Sequence, residues 1–279
     1  ANVAYLLSQH KLRAAVFEKE NDVSMGTTRA NSAIVHAGYD PEPGTAMARL
    51  NVRGSALTKE QCAAFDVKYR QIGSLVLAFS DEEMATVRRL YENGVANGVP
   101  GVRVLTREET LAMEPNLSDA VCGALYAPSA AIVEPWDLAL ALAEAAVENG
   151  VELHLETAVT GAEKISGGWR LHTAKGDFEA RAVVNAAGVE ADLVAAMAGE
   201  PGFTTIPSRG EYYLLDKSQG YVVNHVVFQC PNRDGKGVLV SPTVHYNLIV
   251  GPNAEPSGRE DVSTQADALA FVREKAVKS

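Results

Sequence analysis

The most chemically suggestive stretch of the chain is Gly26-Thr27-Thr28-Arg29-Ala30-Asn31-Ser32-Ala33-Ile34-Val35-His36-Ala37-Gly38-Tyr39. It is too polar and too punctuated by glycine for core, and long loops of this kind are disproportionately functional. Its small residues let the backbone approach a flat ligand, and its amides, threonines and asparagine supply hydrogen bonds. A neutral imidazole at His36 can take a proton near neutral pH. An ordered surface loop with a structural histidine is the competing reading. A second histidine lies in Ser241-Pro242-Thr243-Val244-His245-Tyr246-Asn247, where it either faces a substrate or stabilises a hairpin. In Pro207-Ser208-Arg209-Gly210-Glu211-Tyr212-Tyr213 an arginine precedes a strand. Its paired N–H groups can grip a carboxylate or phosphate, or form a surface ion pair with Glu211. Lys236 either attracts an anion or is simply solvated.

These residues need elements to position them. Asn2 to His10 reads as a helix, and Leu12 to Phe17 as a buried parallel strand ending at Glu18. A helix, an apolar strand and a terminal acid form the second half of a dinucleotide-binding βαβ unit. There the acid binds a ribose hydroxyl, about 20 residues after a glycine-rich turn. That turn would lie before Ala1, and the chain stops at Ser279 still in helical pattern, so truncation at both ends is the expectation. By itself Glu18 reads equally as a plain strand end.

Further along, Thr45 to Ala64 looks helical, and Tyr69 to Phe79 reads as one strand with a kink at Gly73. Asp81 is the expected cap of a helix to about Asn93, and Thr106 with Glu109 forms a capping box. Val121 to Tyr126 reads as a strand. Pro135 opens a helix that Asn149-Gly150 ends. Runs at 152–157, 160–165, 169–174 and 177–180 suggest an antiparallel meander. Ala182 to Ala187 reads as an apolar strand ending at Gly188, with a helix to follow from about Ala191 to Met197. Asp192 is expected to be a first-turn helix acid. Strands at 211–216, 225–229, 237–241 and 247–250 fill the last third, and a helix from about Thr264 closes it.

Helix-strand units thus alternate with mixed and antiparallel material. This predicts two discontinuous lobes: 1–44 with 134–200, and 45–133 with 201–279. The formal net charge of −10 gives no general attraction for nucleic acid. Cys62, Cys122 and Cys230 are odd in number and widely spaced, which argues against a disulfide framework or a zinc site and for reduced thiols in a cytoplasmic protein. No apolar run is long enough to span a bilayer. Peripheral membrane contact remains open.

The loop, with Glu18-Lys19-Glu20-Asn21-Asp22 before it and GKGVLVSPTVHYNLIVGPNAE in the last third, resembles the D-amino-acid-oxidase-like superfamily of FAD enzymes. The nearest likeness is to anaerobic-type glycerol-3-phosphate dehydrogenases and L-2-hydroxyglutarate oxidases. The similarity covers essentially the whole chain. It implies an α/β, two-lobed FAD-dependent oxidoreductase. One lobe is a glutathione-reductase-like FAD lobe, incomplete here; the other is an α+β substrate lobe with an antiparallel sheet. By match, Glu18 and Lys19 would hold the adenosine ribose and Val159 the adenine. Thr27, Thr28, Asn31, Ser32, His36, Ala37 and Gly38 would border the flavin and diphosphate, and Ala187 and Gly188 would approach the cofactor through backbone. Arg209, Tyr212 and His245 would bind substrate, and His36 or His245 would be the base.

The chemistry implied is oxidation of a small anionic secondary alcohol with hydride transfer to flavin. Glycerol 3-phosphate leads, L-2-hydroxyglutarate is the alternative, and an amine is a third option. Oxygen, a quinone or a partner subunit would accept the electrons. An alternative of another class is an inactive fragment that binds FAD weakly or not at all.

Overall fold

The computed structural model describes residues 1–200, 202–231 and 237–279, so Lys236 lies outside the described residues. The chain folds into two compact units. One comprises Ala1–Asn31, Pro135–Ser208 and Pro256–Asp261; the other comprises Ser32–Glu134, Arg209–Glu255 and Val262–Ser279.

In the first unit, the strand Ala15–Phe17 pairs in parallel with Glu152–His154, Val16 lying opposite Leu153. Ala4, Ala146 and Val151 form its small apolar core with Tyr5, Ala14 and Val16 packed against them. The helix Pro135–Glu148 starts on a proline, whose fixed φ suits the first helical position. Gly150 in the left-handed region, φ +91°, follows its end. The meander is antiparallel, through Val159–Ile165, Gly168–Thr173 and Gly176–Ala180. The run at 152 leaves it and pairs with Ala15–Phe17 instead. Parallel pairing requires a long crossover, and the residues between 17 and 152 supply one.

The apolar run Ala182 to Ala187 departs from expectation. It belongs to no strand, and Arg181 through Val189 are exposed. A strand needs an edge to bond to. Among the described residues, the only strands at the parallel edge are Ala15–Phe17 and Glu152–His154, paired with each other. Composition reported apolarity here but could not report a partner.

The second unit is built on a seven-stranded sheet. Its order is Tyr213–Leu215, Leu248–Gly251, Leu239–Pro242, Val226–Gln229, Ser74–Ala78, Gly123–Ala127 and Arg103–Thr106. All neighbours are antiparallel except Val226–Gln229 with Ser74–Ala78. Ser74–Ala78 is buried along its whole length, as a central strand covered on both faces must be. One face buries Val76, Ala78, Val87, Leu90 and Leu125; the other cluster holds Leu75, Leu77, Leu105, Ala124 and Val227.

The expected single strand from Tyr69 to Phe79 is two strands in two sheets. Tyr69–Arg70 joins Ala131–Val133 and Ile34–Val35 in a small antiparallel sheet. Gly73 breaks the run with φ +74°, and a Cβ there would meet the Tyr126 ring at 2.9 Å. Ser80 rather than Asp81 caps the helix Asp81–Ala96, its hydroxyl accepting from the Glu83 amide at 3.2 Å. The capping box at Thr106 and Glu109 forms as expected. The chain closes on the helix Ala266–Ala276. Among the described residues no helix is long and apolar enough to cross a membrane.

Candidate functional site

The first unit gathers one group of the residues singled out above. Just beyond the strand Ala15–Phe17, the chain is zipped to the segment before Val159. Glu18 N–H donates to the His154 carbonyl at 3.0 Å, Thr157 N–H to the Glu18 carbonyl at 2.8 Å, and Glu156 N–H to the Glu20 carbonyl at 2.8 Å. Glu18 and the lead-in to Val159 are thereby neighbours. The Glu18 carboxylate accepts the Glu20 amide at 3.0 Å. Lys19 Nζ reaches Glu190 Oε1 at 2.8 Å, which ties the same strand end to the turn Ala187–Gly188. That hydrogen bond raises the lysine pKa.

At the turn, Gly188 has φ +58°, and nothing lies within 4 Å of where a Cβ would be. The front of the turn is open. Glu18 offers a carboxylate acceptor, and the open turn at Gly188 leaves room for a ligand to approach its backbone. Thr27 and Thr28 sit in a short 3-10 helix, Thr27–Arg29, and Asn31 Nδ2 donates to both carbonyls, at 3.0 and 2.8 Å. Their side chains are exposed.

Asp192 is more than a first-turn acid. It is buried, and its carboxylate meets Arg259 Nη2 at 2.6 Å, the Thr205 amide at 2.9 Å and the Leu193 amide at 3.0 Å. The Arg259 hydrogen bond, followed by that from the Thr205 amide, holds its pKa down to about 2.

The second unit holds the histidines. His36 is exposed and stacks on Phe228, ring centroids 5.8 Å apart. Val244, next to His245, packs with Ile132 and Val226 in a cluster that Ile34 and Phe228 also line. Both histidines therefore rise from one apolar platform. His245 Nε2 donates to the buried carboxylate of Glu134, and Lys68 Nζ lies 3.2 Å from Nδ1. A carboxylate only accepts and an ammonium only donates, so the two contacts fit the tautomer that carries its proton on Nε2. The turn carrying His245 is braced by Thr243, whose hydroxyl accepts from the His245 and Asn247 amides at 3.2 and 3.1 Å. Arg70 donates to the Thr243 carbonyl at 3.3 Å and lies over the Tyr246 ring, 4.8 Å from its centroid.

Ser32 and Tyr212 share a hydrogen bond of 2.5 Å between hydroxyls. Burial pushes the tyrosine pKa up. Arg209 Nε lies 2.8 Å from Glu211 Oε1, and its Nη1 donates to Ser263 at 3.2 Å. The pair is largely buried rather than on the surface, and Arg209 is committed to it. Ala37 and Gly38 are buried. A Cβ on Gly38 would come 2.6 Å from Val52 Cγ2, so packing alone accounts for that glycine. Sequence reasoning missed Glu134, Lys68, Glu190 and Arg259. Each acts through a partner far away in sequence.

The family model described as FAD dependent oxidoreductase matches residues 1–279. The chain belongs to that family. It is 47% identical over 279 residues to a glycerol 3-phosphate dehydrogenase of Caloramator mitchellensis, covering all of this chain and 58% of that protein. It is 32% identical over 246 residues to an L-2-hydroxyglutarate dehydrogenase of Escherichia coli strain K12, covering 87% of this chain and 58% of that one. Among solved structures, the dithionite-reduced L-alpha-glycerophosphate oxidase of Mycoplasma pneumoniae with FAD bound superposes with a TM-score of 0.91 at 29% identity. That match covers 99% of this chain and 74% of the other. The chain therefore spans a little over half the length of the two relatives named first, and has the fold of the family's FAD-dependent oxidases.

Proposed function

We propose that the protein to which this chain belongs oxidises the secondary alcohol of glycerol 3-phosphate with FAD. The observation that carries the reading is the 47% identity along the entire chain to a glycerol 3-phosphate dehydrogenase. The nucleotide edge supports it: Glu18 would take a ribose with Lys19 beside it, Val159 and the Ala187–Gly188 backbone would border the adenosine, and Thr27, Thr28 and Asn31 lie exposed on the loop. FAD, when bound, supplies the acceptor for the two electrons that leave the carbinol carbon as hydride.

His36 is assigned the base that takes the hydroxyl proton. The reason is exposure: His36 is exposed, whereas His245 is half-buried and held by Glu134 and Lys68. His245 then orients, and Lys68 beside it supplies a cation for the substrate anion. Arg209, already paired with Glu211, is assigned to holding the segment that carries Tyr212, whose neutral hydroxyl serves as a donor. Three unpaired cysteines support a reducing compartment such as the cytoplasm. Oxygen, a quinone or a partner subunit is the proposed electron acceptor.

L-2-hydroxyglutarate is the second reading, favoured by the 32% identity to its dehydrogenase. Anaerobic mixing of the full-length flavoprotein with each compound separates them. Glycerol 3-phosphate is expected to bleach the flavin band. Bleaching by L-2-hydroxyglutarate alone transfers the assignment, and bleaching by neither overturns both.

A further inference from the structure

The turn at Ala187–Gly188 is tied by side chains from several segments of the chain. The run leading into it forms no strand, and Arg181 to Val189 are exposed. Yet the turn is tied at several points. Asn185 Oδ1 accepts the Ala187 amide at 3.2 Å, and its Nδ2 donates to the Ala191 carbonyl at 2.7 Å. Glu190 is fixed by Lys19 at 2.8 Å. Arg259 Nη1 donates to the Val189 carbonyl, while Nη2 is anchored on Asp192 at 2.6 Å. Asp192 in turn fixes the Thr205 and Leu193 amides. Lys19 and Arg259 approach from segments 171 and 67 positions away from their acidic partners.

Stability is a poor explanation for two ion pairs at one short turn. Lys19 and Glu190 are partly exposed, at 46% and 27%, and such solvent-screened pairs contribute little to stability. Burying Arg259 against Asp192 costs desolvation that the pair's attraction does little more than offset. What the two pairs do achieve is a fixed turn whose front is open: Gly188 is left-handed with empty space before it.

We propose that Lys19–Glu190 and Arg259–Asp192 are positioning pairs that hold the Ala187–Gly188 turn beside Glu18 and so set the affinity for the adenosine diphosphate half of FAD. The inference rests on the cofactor reading above. Glu190, Asp192 and Arg259 act through the turn and not by contact with the cofactor. Pre-forming the turn removes an ordering cost that binding would otherwise meet.

The test is titration of flavin-stripped full-length protein with FAD and, separately, with ADP, beside the melting temperature of each apoprotein. Glu190→Gln is expected to weaken both ligands about threefold, with the apoprotein melting temperature unchanged. Lys19→Met combined with Glu190→Gln is expected to lose no more than Lys19→Met alone, as residues acting as one pair do. Arg259→Gln is expected to weaken both ligands on the order of tenfold, the loss of a hydrogen bond to a charged group. Should Arg259→Gln fail to fold, Glu190→Gln still decides the question. Wild-type binding with unchanged affinity in Glu190→Gln overturns this inference and leaves the cofactor reading standing. Absence of FAD binding by the wild-type protein overturns both.

Discussion

The hydroxyls of Ser32 and Tyr212 lie 2.5 Å apart and join the glycine-punctuated loop to the Arg209–Tyr213 segment across 180 positions of sequence. One partner is a phenol whose pKa is raised by burial, with the serine opposing that shift. The phenol therefore stays protonated beyond the usual tyrosine range. Tyr212→Phe removes the bond but keeps the ring. Stability is expected to fall by about 0.5–1.5 kcal/mol, read as a urea midpoint. Flavin reduction by glycerol 3-phosphate is expected to slow more than that loss explains. Unchanged reduction would remove Tyr212 from the site.

The same phenol belongs to a set with a pH signature. Tyr39, Tyr69 and Tyr212 are all raised, each chiefly by burial, and burial lifts the Cys62 thiol to about 11. A raised pKa means that the unfolded chain loses the proton first. The contribution is intact below the unfolded values, about 8.5 for cysteine and about 10 for tyrosine, and is lost as pH climbs past them. The urea midpoint should decline from about pH 9 upward, with Tyr39→Phe and Tyr212→Phe flattening the decline. A flat alkaline limb in the wild-type protein would contradict the burial of these groups.

Substitution of the two histidines separates their roles. His36→Asn removes the assigned base, and flavin reduction should slow by about 10²- to 10⁴-fold with little change in stability. His245→Asn leaves the buried Glu134 without its imidazole donor. That costs about 1–3 kcal/mol of stability and should affect the substrate KM more than the reduction rate. The reverse pattern in stopped-flow reduction would move the base to His245.

Much of this was readable in the chain. Local signals were reliable: the Thr106 capping box, Pro135 at a helix start, the glycine pairs of the meander and the strand ending at Glu18 all depend on residues a few positions apart. Two kinds of fact were not. An apolar run such as Ala182 to Ala187 reads as a buried strand because composition carries no information about a bonding neighbour. Tyr69 to Phe79 read as one strand because a glycine signals a bend without saying that the bend moves the chain to another sheet. Of the proposed site, the loop and both histidines were singled out by residue type. Glu134 on His245 was not, since the pair spans 111 positions and nothing local distinguishes a buried acid from a helix-preceding one.

Gly188→Ala tests the open turn directly. Its φ of +58° disfavours a Cβ, but none of the surrounding atoms would meet one. The stability cost should be the left-handed penalty alone, about 1–2 kcal/mol. If the cofactor backbone approaches here, FAD affinity should fall further than stability does. Equal affinity in the variant would place the cofactor elsewhere.

Asp192 gives the acid limb a defined shape. Its folded pKa is held at about 2, first by the Arg259 hydrogen bond and then by the Thr205 amide. A depressed carboxylate contributes stability above its unfolded value of about 3.9, and that contribution disappears as pH falls through the folded value. Wild type and Asp192→Asn should therefore differ most near neutrality, and the gap between their urea midpoints should close between about pH 4 and pH 2. Arg259→Gln should narrow the same gap already at neutral pH, because it removes the group chiefly responsible for the depression. A gap that persists to pH 2 would mean that the Asn substitution harms packing rather than removing a charge pair.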